Sequence, residues 1–224
     1  MNSTTRVLLP LALAATLVAS GCARPKPVTT PSPAPQAAPS AESTQATTTA
    51  QAATPPAAVK PEAPIAPETN PPGDIPDTQV FVAYRPPSAG FEVKVPEGWS
   101  RTQGGSTASF TDKLNVVTMT WGTAPSAPTA ASVKSADLPK LSAEVPAFQL
   151  QSVKQVKLPA GETVLLTYRQ NGEPNAVTGK RYRLDVSRYV YFRNGIRVDL
   201  VLSSPVGADN VDPWRTISES LRWL

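Results

Sequence analysis

Three groups of residues in this 224-residue chain have types and spacings that could do chemistry. The first is a lone cysteine, Cys22, which can form no internal disulfide and whose thiol must serve something else. The second is the basic run Lys180-Arg181-Tyr182-Arg183, followed by Arg188, Arg193 and Arg197. Alternation on a strand would put Arg181 and Arg183 on one face, and Lys180, Arg181 and Arg183 are the candidate surface for an anionic partner such as a lipid headgroup or glycan. The third is the pair Asp209 and Asp212, which could hold a proton or a hard cation, although capping a final helix explains Asp212 more simply. Histidine is absent from the sequence, which removes imidazole-activated nucleophiles and most zinc sites. No glycine loop follows a strand to cradle phosphate. No cofactor, metal site or catalytic residue is predicted, and the expectation is a protein that is not an enzyme.

The position of Cys22 says what its thiol is for. Arg6 leads into the apolar run Val7-Leu8-Leu9-Pro10-Leu11-Ala12-Leu13, which continues to Ala19 and ends in Leu17-Val18-Ala19-Ser20-Gly21-Cys22. The run is too short for a spanning helix, which needs about 20 apolar residues. It reads as a signal peptide over residues 1–21. Small residues before an obligatory Cys resemble the lipobox of bacterial lipoproteins, with Ala19 standing where that pattern prefers Leu or Val. The resemblance implies cleavage between Gly21 and Cys22, a diacylglyceryl thioether on Cys22, and in many bacteria further N-acylation with chains such as palmitate. A lipid-anchored protein on the extracytoplasmic face of the cell membrane or outer membrane is therefore expected.

Composition changes abruptly along the chain. Fourteen of the 26 prolines fall between Ala23 and Asp77, among Ala, Thr and Ser, while all fourteen aromatic residues lie at or after Phe81. Proline removes backbone donors, and small side chains offer too little apolar area to offset ordering entropy, so residues 22–77 read as a disordered Pro/Ala/Thr-rich linker. Residues 78–224, 147 in all, suit one ordinary domain. That domain carries 17 Lys and Arg against 12 Asp and Glu, too mild an excess to suggest nucleic acid.

Within it, Phe91-Glu92-Val93-Lys94-Val95 alternates as a half-buried strand should, and further strands are predicted at 107–111, 115–121, 148–157, 162–169, 181–192 and 196–203. Residues 130–144 read as helical, broken or restarted at Pro139. At Arg193-Asn194-Gly195 a two-residue Asn-Gly loop would mix apolar and charged groups on one face. A three-residue loop instead aligns Val190, Phe192, Ile196, Val198, Leu200 and Leu202, and is the predicted register. A closing helix is predicted with Asp212 as its cap, Pro213 at its first position, and Trp214, Ile217 and Leu221 as its apolar stripe.

Phe91-Glu92-Val93-Lys94-Val95-Pro96-Glu97-Gly98-Trp99 resembles the opening strand and VP-x-GW turn of PsbP-like domains. Phe110-Thr111-Asp112 with Asn115-Val116-Val117 resembles their second hairpin, and Gly207 to Trp223 their closing helix. Actinobacterial lipoproteins of the LpqN type are similar. The resemblance implies an α+β fold, an antiparallel sheet flanked by helices in an α/β/α sandwich, and an accessory or adaptor role. The expected partners are the membrane, through lipidated Cys22, and an envelope protein, glycan or lipid, with the protein a monomer. The alternative is a carrier holding a lipid or other apolar ligand between sheet and helix, where Tyr182, Tyr189 and Tyr191 could line a groove.

Overall fold

The computed structural model describes residues 62–70 and 72–224. The predicted signal peptide, Gly21, Cys22 and the linker as far as residue 61 lie outside the described residues. The fold is α+β: antiparallel sheets with helical cover on both faces of the larger sheet. Its strands are β1 (Phe81–Tyr84), β2 (Phe91–Pro96), β3 (Ser100–Gly104), β4 (Thr107–Asp112) and β5 (Asn115–Thr123). A helical segment follows, comprising α1 (Ala130–Ser132), a π-helical turn (Val133–Asp137) and α2 (Leu138–Glu144). Then come β6 (Gln149–Leu158), β7 (Gly161–Asn171), β8 (Arg183–Arg193), β9 (Ile196–Pro205), α3 (Val211–Glu219) and β10 (Arg222–Trp223).

Seven strands form one antiparallel sheet in the order β3-β4-β5-β9-β8-β7-β6, and β1-β2-β10 form a second, smaller one. One face of the large sheet is apolar on its β4, β5 and β9 strands. Phe110, Val117, Met119, Val198, Leu200 and Leu202 are buried there beneath Phe91, Val93 and Val95 of β2 and Ile217 of α3. Each such side chain contributes about 1.5–3 kcal/mol on burial. On the opposite face the helical segment covers β7 and β8, where Val133 packs with Val164, Leu166, Tyr168, Val186 and Val190. Helical cover does not extend over β4 and β5, whose residues on that face include Ser109, Thr111, Thr118 and Thr120.

The helical segment covers the predicted residues 130–144. Thr129 caps it through a capping box with Ser132, each backbone N–H meeting the other residue's hydroxyl at 2.8–3.1 Å. Proline at 139 lacks an N–H, and the chain accommodates it by widening to a π turn before α2 begins at Leu138. Three short strands, β1, β3 and β10, lie outside the sequence expectations. β3 is polar and fully exposed, so no alternation marks it.

Four expectations are corrected. The hairpin between β8 and β9 is the two-residue form, with Arg193 opposite Ile196 and Phe192 opposite Arg197. Asn194 and Gly195 take φ of 50° and 79°, as a two-residue Asn-Gly turn requires. The mixed face this creates is tolerated because its charges pair under the helical segment. Arg188 Nε donates to Asp199 at 2.8 Å, and Arg197 donates to Asp199 at 2.7 Å and to Asp137 at 2.5 Å. Burial alone would lower the Arg197 pKa, but its hydrogen bonds to Asp199 and Asp137 raise it above the ordinary value.

Second, Asp212 does not cap α3. The N-cap position is Asn210, and Asp212 pairs with Arg215 on the exposed side of the helix. Third, the helix ends at Glu219, so Arg222 and Trp223 instead form β10 against Glu92 and Phe91.

Fourth, the linker does not run to Asp77. Residues 62–70 and 72–77 form a strap across the strand ends at one end of the sheet. Ile65 N–H and the backbone at Ala63 bond to Asn171 at the end of β7, and Gly73 C=O accepts from Asn115 at the start of β5 and from Asn210. Gly73 has φ of 136°, and a Cβ there would meet Pro205 Cδ at 2.9 Å, so only glycine lets the strap lie this close. Three buried amides, Asn115, Asn171 and Asn210, satisfy an otherwise prolyl, extended segment.

Asn210→Ala should therefore cost about 2 kcal/mol, because Ile75 N–H and Gly73 C=O both lose a buried partner. Hydrogen exchange at the Ile75 amide should accelerate at least tenfold. An unchanged rate would mean the strap is held without Asn210. Strap docking should also weaken in acid. The Asn171 hydrogen bond, then the Arg181 guanidinium, hold the Glu62 carboxyl below its usual range. Its contribution is present above the unfolded carboxylate value and is lost as pH falls through the lower folded one.

Candidate functional site

The three basic candidates are engaged within the molecule and do not form one exposed face. Strand β8 begins at Arg183, so Arg181 precedes it. Arg183 is only 3% exposed, its guanidinium donating to Ala147 C=O at 2.9 Å, Asn171 Oδ1 at 3.1 Å and Gln149 Oε1 at 3.2 Å. Burial lowers its pKa. Arg181 donates to Gly172 C=O at 2.8 Å and pairs with Glu62. Lys180 pairs with Glu68 at 2.6 Å and lies 4.9 Å from the centre of the Tyr182 ring. The run anchors the strap through two acidic residues, Glu62 and Glu68, that composition had assigned to the linker. Asp209 and Asp212 likewise part company, since Asp209 N–H donates to Asp74 while Asp212 faces Arg215.

What the sequence did not reveal is a cleft of about 400 Å³ where the helical cover of the large sheet stops. Its floor is Val116 of β5, Val201 of β9, Leu184 and Val186 of β8 and Tyr168 of β7. These residues share a face because the observed registers place Val116 opposite Ser203, and Ser203 opposite Val186. The β4–β5 turn, with Lys113 and Leu114, forms one wall. The β7–β8 loop, with Gly172, Glu173 and Tyr182, forms the other, and Pro146 just past α2 closes a side. Asn171 belongs to both the cleft wall and the strap.

Two local features distinguish the cleft. Ser203 is 7% exposed, and its hydroxyl is the single buried side-chain polar atom without a hydrogen-bond partner among the described residues. An unpartnered buried hydroxyl costs roughly 1–3 kcal/mol, so its presence in an apolar floor calls for a reason. At the mouth, Lys113 takes φ of 52°, the left-handed region that favours glycine or asparagine. The Tyr168 phenol is pushed up by burial. Of the three tyrosines expected around a groove, only Tyr182 lines this one. Tyr191 is buried in the other core, donating to Ser218 C=O at 2.6 Å, with Tyr189 stacked beside it. No sequence signal marked the cleft, since Val116, Val201 and Ser203 meet only through strand register.

Lys113 and Glu173 stand on opposite walls, neither paired with an opposite charge among the described residues, and the floor carries the buried Ser203 hydroxyl among the hydroxyls of Thr118 and Tyr168. Such a set can desolvate and orient a group, and among the described residues no side chain hydrogen-bonds the Ser203 hydroxyl.

No model of a protein family matches the chain, and no curated protein matches it. Solved structures do. The chain is similar to cyanobacterial PsbP from Synechocystis, at 16% identity over 68% of this chain and 98% of that one, with a TM-score of 0.48. It is similar to LpqN of Mycobacterium tuberculosis, described as involved in cell envelope biogenesis, at 14% identity over 65% and 91%, with a TM-score of 0.42. It is also similar to the Ran-binding protein Mog1p of Saccharomyces cerevisiae, at 7% identity over 64% and 95%, with a TM-score of 0.43.

Proposed function

We propose that this chain is a membrane-tethered, extracytoplasmic lipoprotein whose globular domain binds an envelope partner without transforming it. Lipidated Cys22 holds it to the membrane, residues 22–61 act as the spacer, and the strap fixes where that spacer joins the domain. The observation that carries the binding reading is the cleft: a concave apolar floor, two rim charges and one buried hydroxyl, none of them paired among the described residues, converge at a single place on the sheet. The carrier reading draws on the same cavity, whose 400 Å³ lies at the small end of the roughly 300–1,000 Å³ typical of ligand pockets. Against it, the cleft lies open to solvent and would leave much of a lipid exposed.

The test is site-specific photo-cross-linking in intact cells. A photoreactive residue at Thr118, on the cleft floor, should give adducts with an envelope component, whereas one at the exposed Glu162, second residue of β7, should not. Val201→Trp, which fills the cleft from within, should suppress the Thr118 adducts at least fivefold. Equal labelling from both positions, or none from Thr118, would sink the reading.

A further inference from the structure

We propose that the cleft is the seat for one aromatic side chain with a polar tip, tyrosine above all, presented by a protein partner that also packs on Val177. This deepens the binding reading and rests on it.

The occupant follows from what the cleft lacks. Its floor offers apolar contact to a flat group, and the fully buried Ser203 hydroxyl there lacks a hydrogen-bond partner among the described residues. A hydrocarbon chain would satisfy the first and leave the second. A phenol satisfies both, since its ring buries about 150–250 Å² and its hydroxyl both donates and accepts. Aromatic residues with a polar handle are also the commonest anchors in protein interfaces, where they fill pockets ringed by weaker contacts.

That the anchor comes from a protein follows from the rim. The β7–β8 loop, whose Glu173 and Tyr182 line the cleft, carries Val177, which is 92% exposed. The loop is held in shape around Asn175. Its Oδ1 accepts from Val177 N–H at 3.0 Å and Thr178 N–H at 2.9 Å, its N–H donates to Lys180 C=O, and its C=O accepts from Gly179 N–H. Lys180 is fastened in turn to Glu68 of the strap. An apolar side chain presented on a braced loop loses little entropy when covered. A small molecule in the cleft would not reach it, whereas a protein surface would cover both. Lys113 and Glu173, on opposite walls, complement a partner whose aromatic residue is flanked by an acidic and a basic group.

The experiment titrates the full mature chain with p-cresol, the side chain of tyrosine, and with toluene, which lacks the hydroxyl, following backbone amide shifts by NMR. The p-cresol shifts should centre on Val116, Val186, Val201 and Ser203, with binding about fivefold tighter than for toluene. Ser203→Ala should erase that difference while slightly raising stability in urea, because an unmet buried hydroxyl has gone. Val177→Asp should leave the p-cresol titration unchanged yet cut protein adducts from the Thr118 photo-cross-linker about tenfold. Equal affinity for p-cresol and toluene would overturn the proposal, as would Ser203→Ala leaving the preference intact. So would laurate binding in the cleft where p-cresol does not, which leaves the binding reading standing with an acyl occupant. Failure of both probes together with absence of Thr118 adducts would remove the binding reading as well.

Discussion

Cys22→Ala should release the protein from the membrane fraction into the soluble extracytoplasmic fraction almost completely. The expectation rests on arithmetic of attachment. Each buried methylene contributes about 0.8 kcal/mol, one acyl chain anchors only marginally, and two or three anchor stably. On the proposed reading, a single substitution that denies the thioether would remove every chain together, because N-acylation would take place on the same residue after cleavage. Among the described residues no helix is long and apolar enough to cross a membrane. Mass spectrometry of the N-terminal peptide and fractionation of the two forms check the result. A variant that is cleaved normally and stays with the membrane would show that something other than Cys22 holds it there.

The second large effect lies where the helical segment meets the sheet. Asp199, its side chain 14% exposed, accepts from Arg188 and Arg197, themselves 18% and 25% exposed, and shares Arg197 with Asp137 of the π turn. Removing one partner of a fully buried pair costs roughly 3–5 kcal/mol, because the remaining charge is stranded. Partial solvent access reduces this, so Asp199→Ala is expected to cost about 2–3 kcal/mol. The melting temperature should fall by roughly 5–10 °C in a domain of this size. Asp199→Asn retains an acceptor and should lose about half as much. Urea unfolding reads both, with the midpoint moving and the slope constant. A loss for Asp199→Ala below about 0.5 kcal/mol would mean that water, rather than Asp199, satisfies the two arginines.

That same cluster explains why one register was misread. The argument for a three-residue hairpin loop assumed that charged and apolar residues cannot share a covered face. They can when a counter-charge arrives from elsewhere, and Asp137 arrives from a helix 60 residues earlier in the chain. Asp212 was misassigned for a related reason. Asn210 stands two residues before it at the start of α3, but its amide is already committed to the strap, and the helix begins without a side-chain cap.

The strap is the clearest case of composition misleading. Residues 62–77 look like linker because proline, alanine and threonine bury little surface of their own. They are held instead by hydrogen bonds to Asn115, Asn171 and Asn210 and by ion pairs to Lys180 and Arg181. A basic run that suggested an external anion is thereby turned to internal acids.

Local sequence sets where the chain turns and which stretches prefer extended or helical backbone. The Asn194-Gly195 turn, the capping residue Thr129 and the alternation in β2 act over a few residues and need no partner. Long-range packing sets which face each strand presents, which charges are paired internally, and that Val116, Val201 and Ser203 meet in a cleft. Those outcomes depend on contacts between residues as many as 119 positions apart, and local preference carries no information about which of them will form.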